Sequence, residues 1–170
     1  MQTLFSRLAQ RGWTVLPAPE PRGLLPDTVA ARYPTLPGAV TGFLAGLDMC
    51  RNAADTSWFL TAGDYHAGSG AAFAWNAYEQ MALADAEDPD QAAAINSFWD
   101  RHFPFMLAVH SDYDYLAVRL MTEGFGCVVH WAAPEWEEPM VIADSFEGLL
   151  DALAVAAAMP DPSYPLSLFL

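Results

Sequence analysis

The clearest hydrophobic patterning lies between residues 103 and 153. Residues 105–109 are a short apolar run with aromatic and β-branched content, and His110, Ser111 and Asp112 interrupt it as a turn. Residues 113–120 alternate, with Tyr113, Tyr115 and Ala117 on one face and Leu116, Val118 and Leu120 on the other. Gly124 and Gly126 bracket a second turn, and residues 127–131 form a third apolar run. Three runs joined by short turns predict an antiparallel meander. Asp144, Ser145, Phe146 and Glu147 then open a helix, with Asp144 as its cap and Glu147 reaching back to the free amide. Phe146, Leu149, Leu150, Leu153 and Ala157 recur at helical spacing, so this helix carries an apolar stripe that can lie across the meander.

Upstream, residues 3–11 predict a short amphipathic helix, with Leu4, Phe5 and Leu8 on one side and Arg7 and Arg11 on the other. Gly12 ends it, and residues 13–16 suit a short edge strand. Six prolines between Pro17 and Pro37 bar regular structure from most of that segment, leaving room for a short helix over 27–32. The segment reads as a strap across the domain and not as a linker. Pro37 suits the first turn of a helix running to about Leu47, with Val40, Phe43, Leu44 and Leu47 on one face. Residues 56–61 predict a strand, 62–70 a glycine-containing loop and 73–84 a helix. Another helix spans 91–102, with Ile95, Phe98, Trp99 and His102 sharing a face, and Pro104 divides it from the meander. The tail 159–170 is proline-rich, and its final Phe169 and Leu170 either tuck back or mark a contact surface. The pattern as a whole predicts a single α+β domain, a mostly antiparallel sheet with helices packed around it and a closing C-terminal amphipathic helix.

Composition narrows the function classes. The chain has 170 residues, 54% of them hydrophobic, which fits one globular domain with a sizeable core. Its formal net charge is −14, from 21 acidic residues and seven basic ones, all of them Arg. Between Glu79 and Asp151, 15 acidic residues face only Arg101 and Arg119. Such a surface repels phosphate backbones, which argues against nucleic acid, and it steers a basic partner inward or serves as a solvated coat. Two cysteines, Cys50 and Cys127, make no disulfide framework. The N-terminus lacks the apolar core of a signal peptide, and no apolar run nears the ~18 residues that span a bilayer. Cytoplasmic residence without membrane contact is the expectation.

No catalytic set emerges. The loop Gly63, Asp64, Tyr65, His66, Ala67, Gly68, Ser69, Gly70 lacks the Gly-Lys-Ser/Thr of a phosphate-binding loop. His110, Ser111, Asp112, Tyr113 and Asp114 fall short of a metal ligand set, and a polar turn accounts for them. Cys127 and His130 stand three apart on a strand and so face opposite ways. Neither enzymatic activity nor a cofactor or metal is expected. Trp136 differs from the other tryptophans because it lies in Pro134-Glu135-Trp136-Glu137-Glu138-Pro139. It reads either as a binding anchor or as a ring folded back on the sheet.

Two stretches carry a family resemblance. Residues 142–150, containing Ala-Asp-Ser-Phe-Glu-x-Leu-Leu after an acidic loop, and residues 33–44, Tyr-Pro-x-Leu-Pro…Phe-Leu, resemble the SUKH superfamily of SMI/KNR-type domains. Cys50-Arg51-Asn52 stands where many members carry Asn-Gly-Gly, and His110 to Asp114 replaces the family's glycine-rich turn. The resemblance takes residues 1–170 as one SUKH-like domain with a core match over 33–153, a helix plus strap over 1–32 and a tail over 159–170. It implies an α+β fold without catalytic residues. It also implies a bacterial immunity protein that binds and neutralises a toxin, often a nuclease, or alternatively a regulatory adaptor for an endogenous protein or small ligand. The residues expected to meet a basic protein partner are Asp112, Asp114, Glu135, Trp136, Glu137 and Glu138, with Asp85, Glu87 and Asp88 as a second choice.

Overall fold

The computed structural model describes residues 1–20, 25–66, 73–110 and 112–170. In chain order the elements are α1 (Gln2–Gln10), β1 (Thr14–Pro17), α2 (Asp27–Arg32), α3 (Gly38–Ala45), β2 (Leu47–Arg51), β3 (Ser57–Phe59), α4 (Ala77–Ala84), α5 (Pro89–Trp99), β4 (His102–Val109), β5 (Tyr113–Arg119), β6 (Val128–Ala133), β7 (Met140–Ala143) and α6 (Phe146–Ala156). The strands make one seven-stranded antiparallel sheet whose spatial order is the chain order. The α+β architecture is therefore antiparallel throughout, with β2 and β7 added to the three-strand meander and the two further strands that the sequence predicts.

Helices cover both faces. On one side Arg7 and Arg11 of α1 reach the C-terminal end of α6, where Arg7 donates to the Ala154 carbonyl and Arg11 Nη1 donates to the Met159 carbonyl at 2.9 Å. Cations there satisfy orphan carbonyls and oppose the helix dipole. The Phe146 ring of α6 meets Phe43 of α3 and Phe105 of β4 edge-on, at 5.3 and 5.0 Å between centroids. On the other side Tyr78 of α4 and Trp99 of α5 lie against Tyr115 of β5 at 6.3 and 4.9 Å. Arg32 ties α2 to this layer, with Nη1 and Nη2 on the Glu79 carboxylate at 2.8 and 2.6 Å and Nε on Asp100 at 2.8 Å. Because β4 and β5 are covered on both faces, their side chains are buried almost without alternation.

The pattern places α1, α2, α6 and β1 well and misses at several junctions. Residues 47–51 continue the apolar helical spacing of α3, yet Gly46 ends that helix and they pair with β1 as β2. Helix α5 stops at Trp99, and His102 opens β4. Pro104 lies inside β4, where a register shift between Pro104 and Met106 accommodates a residue that cannot donate to the ladder. The cap of α6 is Ser145 and not Asp144: its Oγ accepts from the Gly148 amide at 3.0 Å. Helix α4 begins at Ala77, later than residue 73. Most of the strap is described, and its Ala18 amide donates to the Gly46 carbonyl at 3.0 Å. Residues 21–24 of that strap, 67–72 of the glycine loop and Ser111 of the turn lie outside the described residues. The tail tucks back, with Phe169 fully buried and its carbonyl accepting from Ser57 Oγ at 3.0 Å.

His102 gives this fold an acid-sensitive seam. Its Nδ1 donates to the Phe98 carbonyl at 2.9 Å, its Nε2 accepts from Arg119 Nε at 3.4 Å, and its ring stacks on Phe98 at 4.0 Å. That pairing suits the neutral ring, and burial pushes its pKa from 6.5 down to about 4. Between those two values the unfolded chain binds the proton and the folded chain does not, so stability falls as pH drops through the window and levels off below it. The expected loss is about 3 kcal/mol between pH 6.5 and 4, read by urea denaturation across pH. His102→Gln is expected to flatten that part of the profile; an unchanged slope would assign the acid sensitivity elsewhere.

A candidate protein-binding surface

The turn before β5 and the acidic loop after β6 lie at the same end of the sheet, because Tyr113 pairs with Ala133. Asp112 in the turn and Glu135, Glu137 and Glu138 in the loop are exposed. The register thus brings four of the six expected contact residues to one end, a consequence of two strands in register with a connection at each mouth.

Trp136 and Asp114 stand differently. Trp136 is half-buried, its ring 6.1 Å from Phe98 of α5, so it folds back and pins the acidic loop to the body. Asp114 does not belong to the exposed surface. It is the second residue of β5, 4% exposed, and its Oδ1 lies 2.8 Å from Nε2 of His130, which is 2% exposed. It shares strand parity with Leu116 and Val118, so it points into the apolar layer that those residues fill. The His130 ring is closed over by Tyr164 and Phe169, each edge-on at 5.7 Å. Asp114 therefore holds the sheet beneath the turn and cannot touch a partner while the tail is in place.

The second-choice residues Asp85, Glu87 and Asp88 are exposed between α4 and α5. Asp88 is the cap of α5, its Oδ1 accepting from the Gln91 amide at 2.8 Å. Capping occupies one carboxylate oxygen and leaves the charge in place.

Neither the Ser57–Asp114–His130 row nor either cysteine is arranged as an activated nucleophile. Ser57, Ala108 and Asp114 form one row across β3, β4 and β5, and His130 sits beyond Asp114. Two strand spacings, about 10 Å, separate Ser57 from Asp114, with the carboxylate between hydroxyl and imidazole. A nucleophilic serine needs the imidazole next to it. Both thiols are buried: desolvation pushes Cys50 up to about 12 and Cys127 upward, opposite to what a reactive thiolate requires. Among the described residues no group of three or more His, Cys, Asp or Glu side chains is placed to hold a metal ion, and no helix is long and apolar enough to cross a membrane.

The charges are sorted by role. All acidic residues except Asp48, Asp64, Glu79 and Asp114 are exposed. The described arginines are engaged within the chain: Arg7 and Arg11 on α6 carbonyls, Arg32 on Glu79 and Asp100, Arg51 on Asp55, Arg101 on the Ser97 carbonyl and Arg119 on His102. Arg7, Arg11, Arg101 and Arg119 place donors on neutral acceptors. Comparison with protein-family models, with curated proteins and with solved structures finds no match to this chain.

Proposed function

We propose that this chain is a SUKH-type immunity protein that binds a basic toxin effector and neutralises it by covering its active surface. The observation that carries this reading is the asymmetry of charge: exposed carboxylates with few cations set against them, and a Trp-pinned acidic loop at one end of the sheet. An effector that acts on nucleic acid is basic around its substrate groove, and a −14 partner complements that groove in sign. Asp112, Glu135, Glu137 and Glu138 supply the charge, and Trp136 holds the loop that presents it. Asp114 supports the turn from inside.

The test is co-expression with a basic protein captured from the native lysate at low salt. The captured protein is expected to be toxic alone and harmless beside this chain. Replacing Glu135, Glu137 and Glu138 together by Lys is expected to slow association about 10–100-fold at low ionic strength and to abolish protection, with the fold intact by circular dichroism. Full protection by the triple variant would remove this surface from the interface. A captured partner that is harmless by itself would sink the immunity reading.

A further inference from the structure

We infer that β7 and the groove beside it dock an extended, basic, amphipathic segment of a partner protein, by adding a strand to the free edge of the sheet. This deepens the reading above, on which it rests, by naming the shape of what the effector inserts.

Strand β7 is the last in the sheet and, among the described residues, pairs only with β6, through Val128–Ala143, Val129–Val141 and His130–Met140. An edge strand offers a row of outward N–H and C=O groups, and soluble proteins usually blunt such edges with charge or cover them. Here the strand reads Met-Val-Ile-Ala, with Met140 36% and Val141 47% exposed. Beside it Val155 of α6, and Met159 and Tyr164 of the tail, are exposed as well. With Leu166 these side chains line an apolar groove of about 550 Å³. Large apolar side chains gathered along an unpaired edge match the way strand addition works: main-chain bonds give affinity and alternate side chains seat in a groove.

Charge selects the occupant. Glu138 stands just before β7, Asp144 and Glu147 follow it, Asp151 lies one turn before Val155, and Asp161 follows Met159; all are exposed. Arg7 and Arg11, the cations at this end of α6, are committed to the Ala154 and Met159 carbonyls. A second copy of the chain would bring two such rims and two −14 charges together, which disfavours a symmetric edge-to-edge dimer. A segment alternating apolar residues with Lys or Arg satisfies both groove and rim. The acidic loop runs directly into β7 through Glu138, Pro139 and Met140, so one effector can engage both.

The probe is a synthetic heptapeptide alternating lysine and valine, titrated against the full chain with amide shifts read by NMR. Two controls accompany it: a peptide of the same composition with its valines together, and a glutamate–valine counterpart. The alternating lysine peptide is expected to shift residues 140–143 and to bind at least about tenfold tighter than either control. Val155→Lys is expected to weaken it about tenfold or more, whereas Ala93→Lys, the same charge change at an exposed site on α5, changes it less than about twofold. Equal effects of the two substitutions, equal binding of the controls, or shifts that leave β7, α6 and the tail unmoved would overturn the inference. So would a dimer in sedimentation that Val155→Lys dissociates, since a second copy would then be the occupant. Should Val155→Lys still neutralise the captured effector while the triple loop variant fails, the groove assignment falls and the functional reading stands.

Discussion

Arg32→Ala is expected to lower the unfolding free energy by about 3–5 kcal/mol, a large part of what holds a domain of this size together. The reason is what the substitution leaves behind. The Glu79 side chain is 4% exposed, and both of its oxygens are held by Arg32, at 2.6 and 2.8 Å. Without the guanidinium, a carboxylate sits in the layer between α2 and α4 with its counter-charge gone. The guanidinium also packs near the Tyr33 and Trp75 rings, at 5.4 and 5.9 Å, and bridges to Asp100 of α5. The fork bond to Glu79 holds the Arg32 pKa above its ordinary value, so the pair persists at high pH. Urea denaturation of three proteins checks the argument. Arg32→Ala should fall furthest. Arg32→Met combined with Glu79→Leu should return to within about 1–2 kcal/mol of the parent, because a well-packed apolar pair replaces a buried ionic one at little cost. A double variant as unstable as Arg32→Ala would show that shape, and not the orphaned charge, sets the penalty.

That pair also marks where reading from sequence stops. Helix α2 is legible because Pro26 and Pro34 bracket a stretch with helical spacing, and it forms over the expected residues, 27–32. Its partner is not, since Arg32 and Glu79 are 47 positions apart and nothing local names one from the other. The same holds for β2 and β7. Residues 47–51 prolong the apolar spacing of α3, and only pairing with β1 makes them a strand; β7 is four residues long and draws its identity from β6. Short strands take their stability from neighbours more than from their own propensities.

The candidate surface was legible in part. Exposed acids in the loop 134–139 follow from proline bracketing and charge density, and the register that brings Asp112 near that loop follows from the meander. Taking residues 110–114 together as a polar turn puts Asp114 at the surface, whereas it is the second residue of β5. Its parity with Leu116 and Val118, extended back by two positions, points it inward, so the signal was present. The return of Trp136 onto Phe98 had no local signal, because the contact joins residues 38 positions apart on separate elements. The groove beside β7 is assembled from a strand, a helix and a tail, and no window of sequence contains it.

Phe146→Ala is expected to cost about as much as the loss of Arg32, about 3–5 kcal/mol, by a different route. The ring is 1% exposed at the first position of α6, just after the Ser145 cap. It fills the junction of two helices and the sheet, edge-on to Phe43 and Phe105, while Phe43 in turn lies 5.1 Å from Phe59. Truncation removes buried apolar surface, two edge-to-face contacts and the anchor of the helix that forms one wall of the groove beside β7. Cap and anchor act on the same turn: Ser145 satisfies an amide and Phe146 fixes where that turn sits, which gives the Asp-Ser-Phe-Glu sequence a physical role independent of any resemblance. Ser145→Ala should cost about 1 kcal/mol. Phe146→Leu, which retains much of the volume, should cost less than about 1.5 kcal/mol. The ordering of the three in urea denaturation is the check. If Phe146→Ala lost under about 2 kcal/mol, the junction would be soft enough to collapse around the missing ring, and α6 would owe its position to Leu149, Leu150 and Leu153 instead.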